Sequence, residues 1–177
     1  MKLMKFKIRK TSEKDLAFYQ HCFDNSEFHW NLYGNDNINL QKYVSKEDKH
    51  LKFIISQVDN KKTEDIAFCH FYFNPKTNDY GSLGGIAPKF FNSGLGLYSG
   101  IVIFSYLFEN NPEFIFRTGV FKYNLRALKA WKAIGFKPIE ETSEKIILKL
   151  TLAQFKNEFV DRILKRIELL QNDELEM

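Results

Sequence analysis

Three glycines fall within seven residues of one short stretch, Pro88 to Gly100 ("PKFFNSGLGLYSG"). The stretch joins residues typical of a strand to an apolar run typical of a helix. The first N–H groups of a helix have no partner within the helix, and the helix dipole favours an anion there. Glycines remove the Cβ atoms that would keep a phosphate away, and Asn92 and Ser93 add short polar side chains. The stretch therefore has the residue types for binding a phosphate through the main chain.

Three interpretations of these glycines are open on spacing alone. Gly94 and Gly96 could simply make a tight turn from strand to helix. A dinucleotide-binding fingerprint needs a third glycine where Ser99 stands, and a P-loop needs a Gly-Lys-Ser/Thr sequence that does not follow. The third interpretation is a cradle for a pyrophosphate, which backbone groups would hold without a dense basic cluster.

Composition predicts a single soluble domain. The 177 residues suffice for one core and carry a net charge of +4, with Lys and Arg interspersed among Asp and Glu, which argues against a nucleic-acid partner. The longest apolar run, Ile101 to Phe108, is too short to span a membrane, and the N-terminal residues lack a secretory signal. Cys22 and Cys69 have no metal-binding spacing, so we expect no metal site and two reduced thiols in the cytoplasm.

Hydrophobic periodicity predicts an α/β (α+β) domain in which a mostly antiparallel sheet carries helices. Asn25 to Asn37 is polar, aromatic and rich in Asn, which indicates a loop. Thr151 starts a final helix whose apolar stripe includes Phe155, Phe159 and Ile167. In chain order, strands are expected at 4–9, 51–58, 65–73, 80–87, 113–120 and 145–150, and helices at 12–23, at 40–44, from the glycines to 108, at 124–135 and from 151.

The glycine stretch resembles the coenzyme-A-binding motif of the GNAT superfamily of N-acetyltransferases. In that motif a strand ending Val-x-Pro precedes x-x-Arg/Gln-Gly-x-Gly-x-Gly/Ala and a helix. Here Ile86-Ala87-Pro88 ends the strand, Gly94 and Gly96 match, and the spacing agrees throughout. Phe91 stands in the Arg/Gln place and Asn92 in the first Gly place.

A second block of residues carries the same resemblance. Superfamily members follow the fifth strand with Asn-x-x-Ala-x-x-x-Tyr-x-x-x-Gly-Phe. At those spacings, with Trp in place of Tyr, this chain has Asn124, Ala127, Trp131, Gly135 and Phe136. In the same block, Arg126 either faces the coenzyme phosphates or lies on a solvated helix face. The order of elements also agrees, and the resemblance covers roughly residues 4 to 150.

The resemblance implies a GNAT-like central sheet flanked by helices in residues 1–150, with an extra C-terminal helix at 151–177 that packs on or extends the domain. The fourth and fifth strands would part, and the pantetheine arm of acetyl-CoA or coenzyme A would lie between them. Main-chain amides would hold the pyrophosphate, and a free strand N–H would polarise the thioester carbonyl. The residues implied in coenzyme binding are Ile86, Ala87, Phe91, Asn92, Ser93, Gly94, Leu95, Gly96, Leu97, Asn124, Ala127 and Trp131.

The acid that would protonate the departing thiolate differs from the family pattern. Family members often use the helix tyrosine, whereas the indole of Trp131 does not titrate, so packing against pantetheine or the core is its better interpretation. A thiol that titrates near ~8.5 leaves tolerably well without an acid. Tyr123 is a nearby substitute. Asn124 matches a family residue that can hydrogen-bond near the coenzyme sulfur, or it is simply the N-cap of its helix. Both are catalytic candidates.

The predicted function is transfer of an acetyl group from acetyl-CoA to a primary amine of a small polar acceptor, such as an amino sugar, by direct attack in a ternary complex. The acceptor-binding candidates are Glu27, His29 and Trp30 in the early loop, and Asp79 and Tyr80 at the start of the fourth strand. One alternative is a non-catalytic acyl-CoA-binding or regulatory module. Others are a protein N-terminal acetyltransferase and a protein–protein module that forms a homodimer through the terminal helix.

Overall fold

The computed structural model describes residues 3–34, 36–45, 50–59 and 62–170, which form one sheet with helices on both faces. The strands are β1 (Met4–Lys10), β2 (Leu51–Asp59), β3 (Lys62–Asn74), β4 (Asp79–Ile86), β5 (Phe116–Phe121), β6 (Lys137–Glu141), β7 (Lys145–Leu150) and β8 (Ile167–Leu170). The helices are α1 (Leu16–Phe23), α2 (Ser26–Tyr33), α3 (Gln41–Val44), α4 (Leu95–Asn110), α5 (Leu125–Ile134), α6 (Leu152–Phe155) and α7 (Glu158–Leu164).

The sheet has eight strands in the order β6-β7-β5-β4-β3-β2-β1-β8. Neighbouring strands are antiparallel except for the pairs β4–β5 and β1–β8, which are parallel. This arrangement confirms the predicted mixed, mostly antiparallel sheet. The parallel pair β4–β5 lies in the middle of the sheet, and α4 makes the crossover between its two strands.

Two apolar cores lie on opposite faces of the sheet because successive side chains of a strand point to opposite sides. On one face, Phe71 and Phe116 pack with Phe104 of α4, and their ring centroids are 5.0 to 5.8 Å apart. On the other face, Phe68 packs with Tyr19 of α1 at 4.9 Å. The abundant Phe residues therefore form the contacts between the sheet and both helical layers.

The prediction of a loop at residues 25–37 is wrong, because most of this segment forms the helix α2. The side chain of Asn25 caps this helix by accepting a hydrogen bond from the N–H of Phe28, and Gly34 ends it with a φ of 62°. Phe28 is buried against Phe23 and Phe68. A helix this short owes its stability to tertiary packing, which the polar composition of the segment does not reveal.

The single C-terminal helix expected from Thr151 onward is also wrong. The segment forms α6 and α7, followed by the strand β8, which pairs in parallel with β1. Asn157 starts the second helix, because its side chain accepts hydrogen bonds from the N–H groups of Phe159 and Val160, both at 3.1 Å. Ile167, expected on the helical stripe, lies in the strand. Residues 171–177 of the predicted helix lie outside the described residues.

The terminal segment belongs to the same folded unit as the rest of the chain. Phe155, Val160 and Ile163 are part of the core that contains Phe104. The strand β6 was not expected from the sequence, and it is an exposed edge strand that contains Pro138. No helix among the described residues has the length and apolar composition to cross a membrane. The cytoplasmic location and the homodimer stay predictions.

Candidate functional site

A cavity of about 310 Å³ opens where β4 and β5 part. Its walls come from the end of β4, the loop that precedes α4, the first turns of α4, one face of α5 along its whole length, and the inner face of α2. Phe68 and Cys69 of β3 form its floor beside the glycine pair Gly84-Gly85. The cavity thus lies at the end of the sheet's central parallel pair, beneath the N-termini of two helices.

The hydrogen-bonded ladder between β4 and β5 covers two residue pairs, Tyr80–Phe116 and Gly81–Arg117. At its end, the hydroxyl of Ser82 donates to the carbonyl of Arg117 at 2.9 Å. The N–H of Tyr80 donates to Ile115, so the even-numbered residues of β4 direct their main-chain groups towards β5. The N–H and C=O groups of Gly84 and Ile86 therefore face the gap beyond the end of the ladder.

The loop before α4 exposes a group of main-chain amides. Asn92 and Gly94 both have positive φ values, 62° and 83°. The N–H groups of Asn92, Gly94 and Gly96 donate to no acceptor among the described residues. The side chain of Ser93 points back into the loop, donating to the carbonyl of Phe90 and accepting from the N–H of Leu95. Such a concave set of amides at a helix N-terminus is suited to an anion.

Gly94 and Gly96 differ in whether the fold requires a glycine at their positions. Gly94 needs its left-handed backbone, which side chains disfavour. Gly96 lies within α4 with an ordinary helical backbone, and a Cβ added to it would lie 3.5 Å from the nearest atom, the Cγ2 of Ile86. Neither backbone conformation nor packing requires a glycine at position 96. Gly96 lines the cavity, and a residue without a side chain at this point of the wall is what a phosphate cradle would need.

Gly84 and Gly85 allow other elements to approach β4 closely. A Cβ on Gly85 would lie 2.6 Å from the Cζ of Phe28, so the glycine lets α2 pack directly on the strand. A Cβ on Gly84 would lie 3.1 Å from the Sγ of Cys69 and 3.9 Å from the indole of Trp131. The "LGGI" sequence carries this signal, because glycine inside a strand often marks a close approach.

The Asn124 side chain is occupied by structural hydrogen bonds. Its Oδ1 accepts from the N–H of Ala127 at 3.1 Å, which is the N-cap geometry of α5. Its Nδ2 donates to the carbonyl of Asn31 at 3.3 Å and so ties α5 to the end of α2. Asn124 lines the cavity, but the N-cap interpretation accounts for its acceptor atom.

Tyr123 lies outside the cavity walls. Its hydroxyl donates to the carbonyl of Trp30 at 2.7 Å, and its ring stacks on the indole of Trp30 with centroids 5.5 Å apart. Both side chains are nearly half exposed. Desolvation, together with the carboxylate of Glu144, raises the pKa of Tyr123. Through this hydrogen bond and ring contact, Tyr123 connects the end of β5 to α2.

Trp131 lines the cavity and packs in the core. Its ring contacts those of Phe104 and Phe136 at 5.9 and 4.9 Å. Around the cavity, the titratable side chains among the described residues are Cys69 and Arg126. Burial raises the pKa of the Cys69 thiol to about 12. A general acid that works near neutral pH is therefore missing from the described cavity walls.

Arg126 stands at the mouth of the cavity. Its guanidinium lies 4.1 Å from the centre of the Phe91 ring and pairs with the Glu27 carboxylate at 3.1 Å. The Phe91 ring and the Glu27 carboxylate therefore hold this cation of α5 beside the cavity.

Asp79 and Tyr80 lie at the opposite, ladder-paired end of β4 from the cavity. Asp79 is buried, forms an ion pair with Arg117 and accepts a hydrogen bond from Thr77. Tyr80 packs against Phe114 and Phe116. These contacts are structural, and the structure does not bring either residue to the site.

The predicted residues fall into two groups. Those that line the cavity are Ile86, Phe91, Asn92, Gly94, Gly96, Leu97, Asn124, Ala127 and Trp131. Those that do not are Ala87, Ser93, Leu95, Tyr123, Glu27, His29, Trp30, Asp79 and Tyr80. Sequence reasoning missed the α2 wall, which includes Phe28 and Asn31, because it took that segment for a loop. It also missed Ser99 as a cavity residue.

We predict that Gly94→Ala lowers the stability of the protein and that Gly96→Ala does not. The first should lower the free energy of unfolding by about 1–2 kcal/mol, because alanine disfavours a left-handed backbone. The second should leave it unchanged or raise it by up to about 1 kcal/mol, because alanine favours a helix and its Cβ would make only ordinary van der Waals contact with Ile86. Urea unfolding of both variants checks this. A Gly96→Ala protein as unstable as Gly94→Ala would mean that protein atoms fill the cradle.

The fold has close counterparts among solved structures. No protein-family model and no curated protein matches the chain. The aminoglycoside acetyltransferase AAC(6')-Ib with coenzyme A is 18% identical, with a TM-score of 0.69 over 85% of this chain and 97% of that one.

Two further structures show the same likeness. A chimera of the spermidine N-acetyltransferase SpeG from Vibrio cholerae and hSSAT is 13% identical, with a TM-score of 0.68 over 86% and 99% of the two chains. The ribosomal-protein-S5-alanine acetyltransferase from Vibrio fischeri is 12% identical, with a TM-score of 0.65 over 85% and 94%. At these identities the likeness establishes the architecture. The chain has the fold of the GNAT N-acetyltransferases.

Proposed function

We propose that this chain is an acetyl-CoA-dependent N-acetyltransferase that acts on a primary amine of a small polar acceptor. The observation that carries the proposal is the continuity of two open main-chain surfaces. The free amides of Asn92, Gly94 and Gly96 lie at one end of the cavity, and the unpaired edge of β4 runs along it. A diphosphate joined to an arm that contains amides fits both surfaces.

The diphosphate would be held by the amides that precede and begin α4, with Arg126 as the nearby cation. The fit rests on Gly96, whose missing side chain the protein's own packing does not require. Arg126 lies at the cavity mouth, held over the Phe91 ring. Arginine is suited to phosphate because its donors form a planar fork. Arg126 of α5 would thus take the role of the Arg or Gln that the motif has where this chain has Phe91.

The arm would extend along β4 in the manner of an added strand. The N–H and C=O groups of Gly84 and Ile86 face the gap and offer donors and acceptors to its amides. A strand N–H at this edge would stabilise negative charge on the thioester carbonyl oxygen. The acceptor nitrogen forms the new bond to the carbonyl carbon, the C–S bond breaks, and the thiolate leaves. The surplus amine proton passes to water, since the described cavity walls lack an acid or base that titrates near neutrality.

The acceptor would approach from the side of α2 and the end of β5. Asn31 and Phe28 of α2 line the cavity, and the stacked Trp30 and Tyr123 form an exposed aromatic surface next to it. Glu27 adds a carboxylate at the mouth. Stacked rings with an acidic neighbour suit a cationic amine or amino sugar. The similar structures are named for aminoglycoside, spermidine and ribosomal-protein acetylation, so a protein N-terminus is the second acceptor candidate.

A coenzyme-binding module without turnover is the second candidate function. The observation that favours it is that the expected catalytic side chains are either replaced or already engaged in hydrogen bonds within the protein. Trp131 replaces the tyrosine, Asn124 caps its helix, and the Tyr123 hydroxyl donates to Trp30. The rates measured with amines decide between this candidate and the enzyme.

Coenzyme A binding to the wild-type chain and to Gly96→Ala tests the cradle. We expect the wild type to bind, and Gly96→Ala to bind at least about tenfold more weakly while unfolding no more easily, because the methyl group obstructs the amides. Isothermal titration calorimetry gives the affinities. Release of free thiol from acetyl-CoA with a panel of amino sugars, polyamines and N-terminal peptides gives turnover. Binding without turnover across the panel would favour the non-catalytic module, and equal affinities would contradict the placement of the phosphates.

Arg126→Ala should weaken coenzyme A binding by about threefold to tenfold and reduce its salt dependence, because one charge-assisted contact to phosphate is lost. Lys129→Ala is the matched control, since Lys129 is an exposed cation on the same helix that does not line the cavity. Titrations at two salt concentrations measure both effects. Equal losses in the two variants would show that only overall charge matters.

The pH profile of acetyl transfer should report the acceptor and not an acid of the enzyme. Burial raises the pKa of the Cys69 thiol to about 12, and desolvation raises the pKa of Tyr123, so neither group is expected to act as an acid near neutral pH. The value of kcat/KM should therefore rise with pH until the acceptor amine is neutral and then stay level. A profile measured with two amines of different pKa should shift with the amine. A fall above pH 8 that is common to both amines would reveal an enzymatic acid.

A further inference from the structure

The hydroxyl of Ser99 has no hydrogen-bond partner among the described residues, although it is fully shielded from solvent. Ser99 is 2% exposed and lies in the second turn of α4, among the residues that line the cavity. A buried hydroxyl without a partner costs free energy, and native proteins rarely tolerate one without a reason. The buried Ser99 hydroxyl therefore destabilises the folded protein, and no hydrogen bond among the described residues offsets that penalty.

Hydrogen bonding within the helix does not satisfy this serine. A serine within a helix commonly bonds back to the carbonyl four residues earlier, here that of Leu95, and this bond is absent. Ser105, on the same helix, has a partner, because its hydroxyl donates to the Glu109 carboxylate at 3.0 Å. Among the described residues around the cavity, Ser99 contributes the only hydroxyl. Its unsatisfied group and its place on the cavity wall point to a ligand.

The place of Ser99 identifies which part of a ligand it would meet. It follows Gly96 by three residues, which is nearly one helical turn and about 4.5 Å along the axis. The free amides that would hold a diphosphate end at Gly96, and the part of α4 that lines the cavity continues past Ser99 to Gly100. On the other side of the cavity, Gly84 and Ile86 present their main-chain groups.

We propose that Ser99 is a binding residue for the pantetheine arm, and that its hydroxyl hydrogen-bonds to one of the arm's amide groups. This inference rests on the proposed use of coenzyme A. The edge of β4 binds one side of the arm, and Ser99 binds it from α4. In the free protein the Ser99 hydroxyl is shielded and has no partner among the described residues, so the proposal includes a rotation of this side chain towards the arm when the arm enters.

The test compares Ser99→Ala with the wild type, using coenzyme A and 3′,5′-adenosine diphosphate as probes. The second probe carries phosphates but no pantetheine arm. Ser99→Ala should bind coenzyme A about threefold to tenfold more weakly, as expected for one neutral hydrogen bond, and bind the nucleotide with unchanged affinity. Its melting temperature without ligand should stay the same or rise, because an unsatisfied hydroxyl is replaced by a better helix former. Ser105→Ala, on the same helix but outside the cavity walls, is the matched control and should alter neither affinity.

The possible outcomes separate this inference from the proposed function. A wild-type chain that binds neither probe overturns both. A wild-type chain that binds coenzyme A, with Ser99→Ala binding it equally well, overturns the role of Ser99 alone. Equal losses for coenzyme A and the nucleotide would assign the serine to the phosphates and contradict the arm contact. A melting temperature several degrees lower for Ser99→Ala would make the hydroxyl a structural group, and would also contradict the proposal.

Discussion

The parting of β4 from β5 is the constraint on which the site depends. Their ladder ends at Gly81 and Arg117, where the Ser82 hydroxyl closes onto a carbonyl of the neighbouring strand. Beyond this point the gap-facing main-chain groups of β4 border a cavity and not another strand. Main-chain groups without partners cost free energy, so neighbouring elements must hold the strands apart and something in the gap must satisfy the exposed edge.

Two helical contacts keep the gap open. On one face, α2 lies directly on Gly85, and its last carbonyls accept hydrogen bonds from the side chains of Tyr123 and Asn124. On the other face, α4 and α5 approach closely, since a Cβ on Gly100 would lie 2.5 Å from Ile134. Tyr123 and Asn124, the two catalytic candidates from the sequence, therefore make hydrogen bonds that connect α2 to the end of β5 and the start of α5. The main chain, more than any side chain, supplies the polar groups around the cavity, which suits a site that binds by shape and amides.

The cation beside the cavity is positioned by two residues that are distant from it in the sequence. The ring of Phe91 lies against the Arg126 guanidinium at the mouth of the cavity. The same guanidinium pairs with Glu27, so it links α2 to the loop that precedes α4. Neither partner of Arg126 is near it in the sequence, and spacing alone left open whether it faced phosphate or solvent.

The local signals in the sequence determined the elements whose stability is local. Alternation and capping located the strands that flank the glycines, the turn of Gly94, and the helix between Asn124 and Gly135, because each depends on residues within one or two turns. The tertiary structure alone decided that residues 26–33 form a wall of the cavity, that residues 167–170 extend the sheet, and that Asp79 lies far from the site. Those outcomes depend on packing and strand pairing between segments distant in the chain, and a short pattern of residue types carries no information about which distant surface will stabilise it.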